Sequence, residues 1–139
     1  MFKNILVPTD LSPKSVKALE IAIRMAEKND CRITLLHVVE TIEDEEDGEF
    51  RSFYEKLAYR AQNKMEKMAR QFNTEDITLH YEITYGKRVG EIVRFASDNN
   101  IDLIILSSHK LDKIDAADGW ATISYRVGIL SPCPVMMVK

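Results

Sequence analysis

Five short runs of strand-forming residues alternate with four longer stretches in which apolar residues recur every three or four positions. The runs are Asn4 to Val7, Arg32 to Val39, Ile77 to Thr84, Leu103 to Leu106 and Val135 to Val138. The predicted helices between them open at Ser12-Pro13 and span about Phe50 to Phe72, about Val89 to Asn99 and about Thr122 to Leu130. Strict alternation of this kind implies an α/β fold, with a parallel sheet, right-handed crossovers and helices on both faces. The runs Ile5-Leu6-Val7 and Leu103-Leu106 carry no polar residue, as strands buried on both faces require. A chain of 139 residues suits one domain, 1–139, with a sizeable core. No repeat, low-complexity stretch or linker interrupts it.

Local signals sharpen the elements. Ser12-Pro13 reads as an N-cap followed by proline at the first helical position, and Asn29-Asp30 as the end of that helix. Val16, Leu19, Ile23 and Ala26 form its inward stripe. Phe53, Leu57, Ala61, Met65, Met68 and Phe72 form that of the second helix, and Arg60, Lys64, Glu66 and Lys67 its solvated face. Tyr85-Gly86 reads as a turn before the third helix, whose Val89, Ile92, Val93 and Ala96 point inward.

Charge and residue chemistry exclude several functions. The 19 Lys+Arg against 22 Asp+Glu give a net charge of −3, without the basic concentration that a nucleic-acid or anionic-membrane binder uses. No apolar run approaches the roughly 20 residues of a membrane span. The opening apolar segment stops at Pro8 and Asp10, unlike a signal peptide. Cys31 and Cys133 stand far apart, outside any C-x-x-C, which fits small hydrophobes in a reducing cytoplasm. His37, His80 and His109 lack metal-ligand spacing. The acidic stretch from Glu43 to Asp47 reads as a solvated loop rather than a calcium loop, and so does the trio Asp112, Asp115 and Asp118. Neither a Gly-x-Ser-x-Gly elbow nor a triad is present, because Ser107-Ser108-His109 are merely adjacent. The expectation is a protein without enzymatic activity and without a bound metal.

Open parallel sheets bind ligands beyond the carboxyl ends of their strands, where strand order reverses. The loops to search are therefore those after the first, second and fourth strands. They hold Thr9-Asp10, Val38-Val39-Glu40 and Ser107-Ser108-His109-Lys110.

Taken together, several segments resemble the universal stress protein family. They are Ile5-Leu6-Val7-Pro8-Thr9-Asp10-Leu11-Ser12, Leu36-His37-Val38, Gly86 with Ile92, Ala96 and Asp102-Leu103-Ile104-Ile105, and Pro132-Cys133-Pro134-Val135. The resemblance runs in order along nearly the whole chain. It implies a Rossmann-like, adenine-nucleotide alpha-hydrolase-like sheet in the order 3-2-1-4-5, with the reversal between strands one and four. Many members of the family bind ATP through Gly-x-x-Gly, about nine residues, then Gly-Ser or Gly-Thr. The glycines let the main chain approach the phosphates, and the hydroxyl completes an anion seat.

Here that pattern is broken. Ser107, Lys110 and Ala121 stand at the three glycine positions, and only Thr122 keeps its type. Side chains at Ser107 and Ala121 narrow the loop and disfavour positive φ, and the three aspartates repel phosphate. Lys110 offers a single compensating point charge. Trp120 either fills the volume of the phosphates or packs the fourth helix. In the adenosine half, Asp10 stands either as an acceptor for ribose or base or as a carboxylate flanking the first helix. Val38 stands either as a main-chain contact to adenine or as plain strand packing.

The expectation is a cytoplasmic stress-response protein that holds no tight cofactor and acts through an unknown protein partner. ATP or AMP binding by the same fold is the alternative. The short apolar edge Val135, Met136, Met137, Val138 invites pairing with a second copy, and the resemblance implies a homodimer through that strand.

Overall fold

Alternate residues of the central strand enter different cores, and this organises the whole molecule. The computed structural model describes residues 2–27, 30–42, 48, 50–73, 77–108 and 119–139, with side chains in the last range from 123 onward. Strand β1 (Asn4–Pro8) lies in the middle of a five-stranded sheet, ordered β3-β2-β1-β4-β5. It pairs with β2 (Arg32–Glu40) from Asn4↔Arg32 to Pro8↔Leu36, and with β4 (Leu103–Ser107) at Ile5↔Leu103. Strands β3 (Thr78–Gly86) and β5 (Val135–Val138) form the outer rows, and every pairing is parallel.

Because side chains alternate across a strand, Ile5 and Val7 face one layer and Leu6 the other. The first core joins them to Ile33, Leu35, Leu103 and Ile105, under α1 (Val16–Ala26) and α2 (Arg51–Phe72). The second joins Leu6 to Leu36, Val38, Ile104 and Leu106, under α3 (Arg88–Asp98) and α4 (Gly119–Leu130). Ile5, Leu6 and Val7 are wholly buried, and side chains of this kind each contribute about 1.5–3 kcal/mol by leaving water. This is the α/β architecture with helices on both faces expected from the alternation of elements, in the Rossmann-like strand order 3-2-1-4-5 that the resemblance implies.

Several boundaries differ from expectation. Tyr85 and Gly86 are not a turn: β2 continues to Glu40 and offers them partners, Val39↔Tyr85 and Glu40↔Gly86. On α2 the inward residue of the first turn is Tyr54, not Phe53, which is 57% exposed. The reason is a local lock: the Tyr54 hydroxyl accepts the Ile42 N–H at 2.9 Å, and Phe53 packs against its ring at 5.9 Å between centroids. On α1, Val16 is half-buried, while Ala18 and Ala22 let the helix sit close to the sheet. Helix α4 starts at Gly119, a turn before Thr122. The acidic residues Glu43 to Asp47, together with His109, Lys110, Asp112, Asp115 and Asp118, lie outside the described residues. Among the described residues, no helix is long and apolar enough to cross a membrane, and no His, Cys, Asp and Glu group suits a metal ion.

Candidate functional site

Strand β1 is shorter than its neighbour, and the difference opens the carboxyl end of the sheet. Its last main-chain bond to β2 is from the Thr9 N–H, which donates to the Leu36 carbonyl at 2.8 Å. Leu36 thus turns its main-chain groups toward β1. By the alternation of a strand, Val38 turns its own toward the same side, where β1 has already ended. The intervening residues point the other way, and the Thr41 N–H reaches the Gly86 carbonyl on the β3 side at 3.3 Å. A donor and an acceptor of Val38 therefore face the crevice between β1 and β4, where strand order reverses.

The loop after β1 is held by its own side chains. The Thr9 hydroxyl donates to Ser15 Oγ at 2.7 Å and accepts the Leu11 N–H at 3.0 Å. Ser15 Oγ in turn donates to the Ser12 carbonyl at 2.7 Å. Asp10 Oδ1 accepts both the N–H and the hydroxyl of Ser12, at 2.9 and 2.5 Å. Ser12 has the extended geometry of an N-cap ahead of the 3₁₀ turn Pro13–Ser15, but its hydroxyl goes to Asp10 instead of capping. Leu11 absorbs the sharp bend at φ 67°, unusual for a branched residue. Asp10 thus does flank the first helix, as one reading of the sequence had it, and it uses a single oxygen to do so.

His37 stands under this loop. Its Nδ1 lies 2.9 Å from the Thr9 carbonyl oxygen. That oxygen can only accept, so Nδ1 carries the hydrogen. Burial pushes the imidazole pKa below its ordinary value, against the opposing effects of the Thr9 hydrogen bond and of Asp10.

One cavity brings these elements together. Thr9, Asp10, Ser12 and Lys14 line it from the first loop, and Leu36 and Val38 from β2. Leu106 and Ser107 line it from β4, Arg88 and Ile92 from α3, and Ile123 from α4. Asp10, Val38 and Ser107 are therefore neighbours, as the loop rule requires. Ser107 ends β4 in register with Val138, and its hydroxyl donates to the Lys14 carbonyl at 3.3 Å. Ala121 and Thr122 occupy the first turn of α4, their side chains outside the described set, as is all of Lys110.

Sequence reasoning missed Arg88 and Lys14. Arg88 pairs with Glu40 at 3.7 Å. The sign of it was present: Arg88 opens the helix after β3, and that end also lies over the carboxyl edge of the sheet. The arrangement offers main-chain groups that can read the edge of a flat heterocycle. It also has a carboxylate, Asp10, and two cationic residues in its lining, Lys14 and the Glu40-paired Arg88.

The family model described as the universal stress protein family matches residues 1–139. The universal stress protein MJ0577 of Methanocaldococcus jannaschii has a solved structure that superposes with a TM-score of 0.84 at 30% identity, covering 100% of this chain and 96% of that one. A universal stress protein solved in complex with cAMP gives a TM-score of 0.74 at 17% identity, covering 99% and 97%. An Arabidopsis thaliana family protein with AMP bound gives 0.61 at 21%, covering 99% and 91%. The last two show the shared fold. From the family match along all 139 residues, the chain belongs to the universal stress protein family.

Proposed function

We propose that this chain is a non-enzymatic regulatory protein of the stress response whose crevice takes adenosine and its monophosphates and does not hold ATP tightly. The observation that carries this reading is the Val38 N–H and C=O left without a strand beside Asp10 at the sheet's reversal. A purine offers a ring nitrogen acceptor and an amino donor on one edge, and a peptide group matches both. Asp10 supplies an acceptor for a ribose hydroxyl. The two relatives solved with cAMP and AMP support a ligand of this class.

The phosphate end supports the second half of the reading. Ser107, Lys110 and Ala121 stand where the family pattern has glycines, and Asp112, Asp115 and Asp118 fall between the last two of these in the sequence. A third phosphate needs main-chain N–H groups at close range, which a Cβ obstructs. Lys14 lines the crevice, and Thr122 keeps the residue type of the family pattern. Catalysis is not part of the proposal: His37 gives Nδ1 to a carbonyl and Asp10 gives Oδ1 to a turn. Both groups suited to proton transfer hold the loop. A cytoplasmic setting agrees with two free cysteines, one of them buried.

The test is chemical. Protein purified without added nucleotide is denatured, its supernatant is analysed by mass spectrometry, and the native protein is titrated with AMP, adenosine and ATP. The expected order is AMP tighter than ATP by about tenfold, which is roughly 1.4 kcal/mol. Stoichiometric ATP in the supernatant, or micromolar ATP affinity, would favour the alternative of an ATP-binding regulator on the same fold.

A second copy of the chain completes the proposal. Strand β5 pairs with β4 on one side only. Met136 and Met137 on that edge are exposed, as are Tyr125, Ile129 and Leu130 on the neighbouring α4. An apolar edge next to an apolar helix face is a surface that water disfavours, and a homodimer through Val135, Met136, Met137 and Val138 would cover it.

A further inference from the structure

A missing rung between β1 and β2 carries more than the cavity's outline does. From its start the ladder is regular: the Arg32 N–H meets the Lys3 carbonyl at 2.9 Å, and the Thr9 N–H meets the Leu36 carbonyl at 2.8 Å. The same alternation would next join the Val38 N–H to the Thr9 carbonyl. That bond is absent among the described residues, although Thr9 is 8% exposed and its carbonyl needs a donor. The donor it has is Nδ1 of His37, a side chain on the opposite face of β2 from Val38.

We propose that His37 is a positioning residue: by taking the Thr9 carbonyl it ends the ladder one rung early and keeps the Val38 N–H open for an acceptor nitrogen of a purine. The inference rests on the reading of the crevice as a nucleoside site. It adds to that reading the cause of the open amide. Three contacts hold Thr9 for this purpose. Its N–H is on Leu36, its hydroxyl is between Ser15 and Leu11, and its carbonyl is on His37. Without the imidazole the first two remain, and the carbonyl turns to the donor that the ladder's alternation sets opposite it, the Val38 N–H. The sheet then closes over the place where a base edge would lie.

The experiment measures the amide itself. Backbone NMR of the wild type, His37→Ala, His37→Leu and His37→Asn gives the Val38 amide exchange rate and the affinity for AMP in one sample series. The expected result is slower Val38 exchange and about tenfold weaker AMP binding in the Ala and Leu variants, the worth of one hydrogen bond. His37→Asn carries an amide nitrogen close to where Nδ1 stood, so it should return both readouts to within about threefold of wild type. A Val38 amide unchanged in Ala and Leu overturns the proposal, whatever AMP does. Slowed exchange with undiminished AMP affinity overturns the link to the ligand. A wild type that binds no AMP overturns the nucleoside reading, and the exchange rates still decide the rung. Leu keeps the half-buried volume should Ala unfold.

Discussion

Gly86 shows how one residue ties a strand to the helix that follows it. Its φ of 146° is open only to glycine, and a Cβ there would stand 2.8 Å from Glu91 Oε1 and 3.0 Å from its Cγ. Glu91 is held in place by Arg94 at 3.4 Å, its side chain only 15% exposed. Gly86→Ala should therefore cost about 1–3 kcal/mol, read as a lower urea midpoint with unchanged slope. His37 makes a second prediction at this scale. Its pKa is lower in the fold than in the unfolded chain because of burial, so the unfolded state binds more protons when pH falls. The contribution is complete above about pH 6.5 and is lost as pH drops through the folded-state value. Urea unfolding of wild type and His37→Asn at several pH values between 7.5 and 5 should show a smaller loss of stability in the variant. Equal losses would mean that His37 is not the group responsible.

At the scale of elements, the proposed phosphate end is tested by restoring glycine. Replacing Ser107, Lys110 and Ala121 together by glycine should raise ATP affinity about tenfold or more while leaving adenosine affinity unchanged, measured by titration of each ligand. No gain for ATP would count against the proposal that the residues at 107, 110 and 121 limit it. The elements themselves were legible because their periods are distinct. Ile5-Leu6-Val7 and Leu103-Leu106 could only be buried strands, and Leu19, Ile23 and Met65 fell on the faces that are buried. Tyr85-Gly86 misled because a tyrosine-glycine pair looks like a turn until the length of β2 is known. Phe53 misled because helical period alone does not say which aromatic of an adjacent pair points inward. The choice fell to the Tyr54 hydroxyl and its bond to Ile42. Asp10, Val38 and Ser107 were found by a rule about loops, whereas Arg88 and His37 act through contacts between elements distant in sequence. Asn100 belongs to the same group. Its φ of 53° and the Ile101 N–H on the Ala96 carbonyl at 3.0 Å seal the end of α3, a role that asparagine can take.

For the whole molecule the question is what covers β5 and α4. Met136→Asp places a charge on the exposed edge, and on the proposed dimer it should shift sedimentation from two copies to one, with a like shift expected from Ile129→Asp. A variant that sediments as wild type would refute pairing through this edge. Unequal strand lengths govern the crevice. Because β1 stops at Pro8 while β2 runs on to Glu40, the groups exposed at Val38 belong to the peptide bond and not to valine. On the proposed reading, recognition built this way would have no signature of its own in the side chain at 38. A substitution at 38 would therefore act through the second core, where the valine side chain is buried, and leave the proposed ligand contact to the main chain.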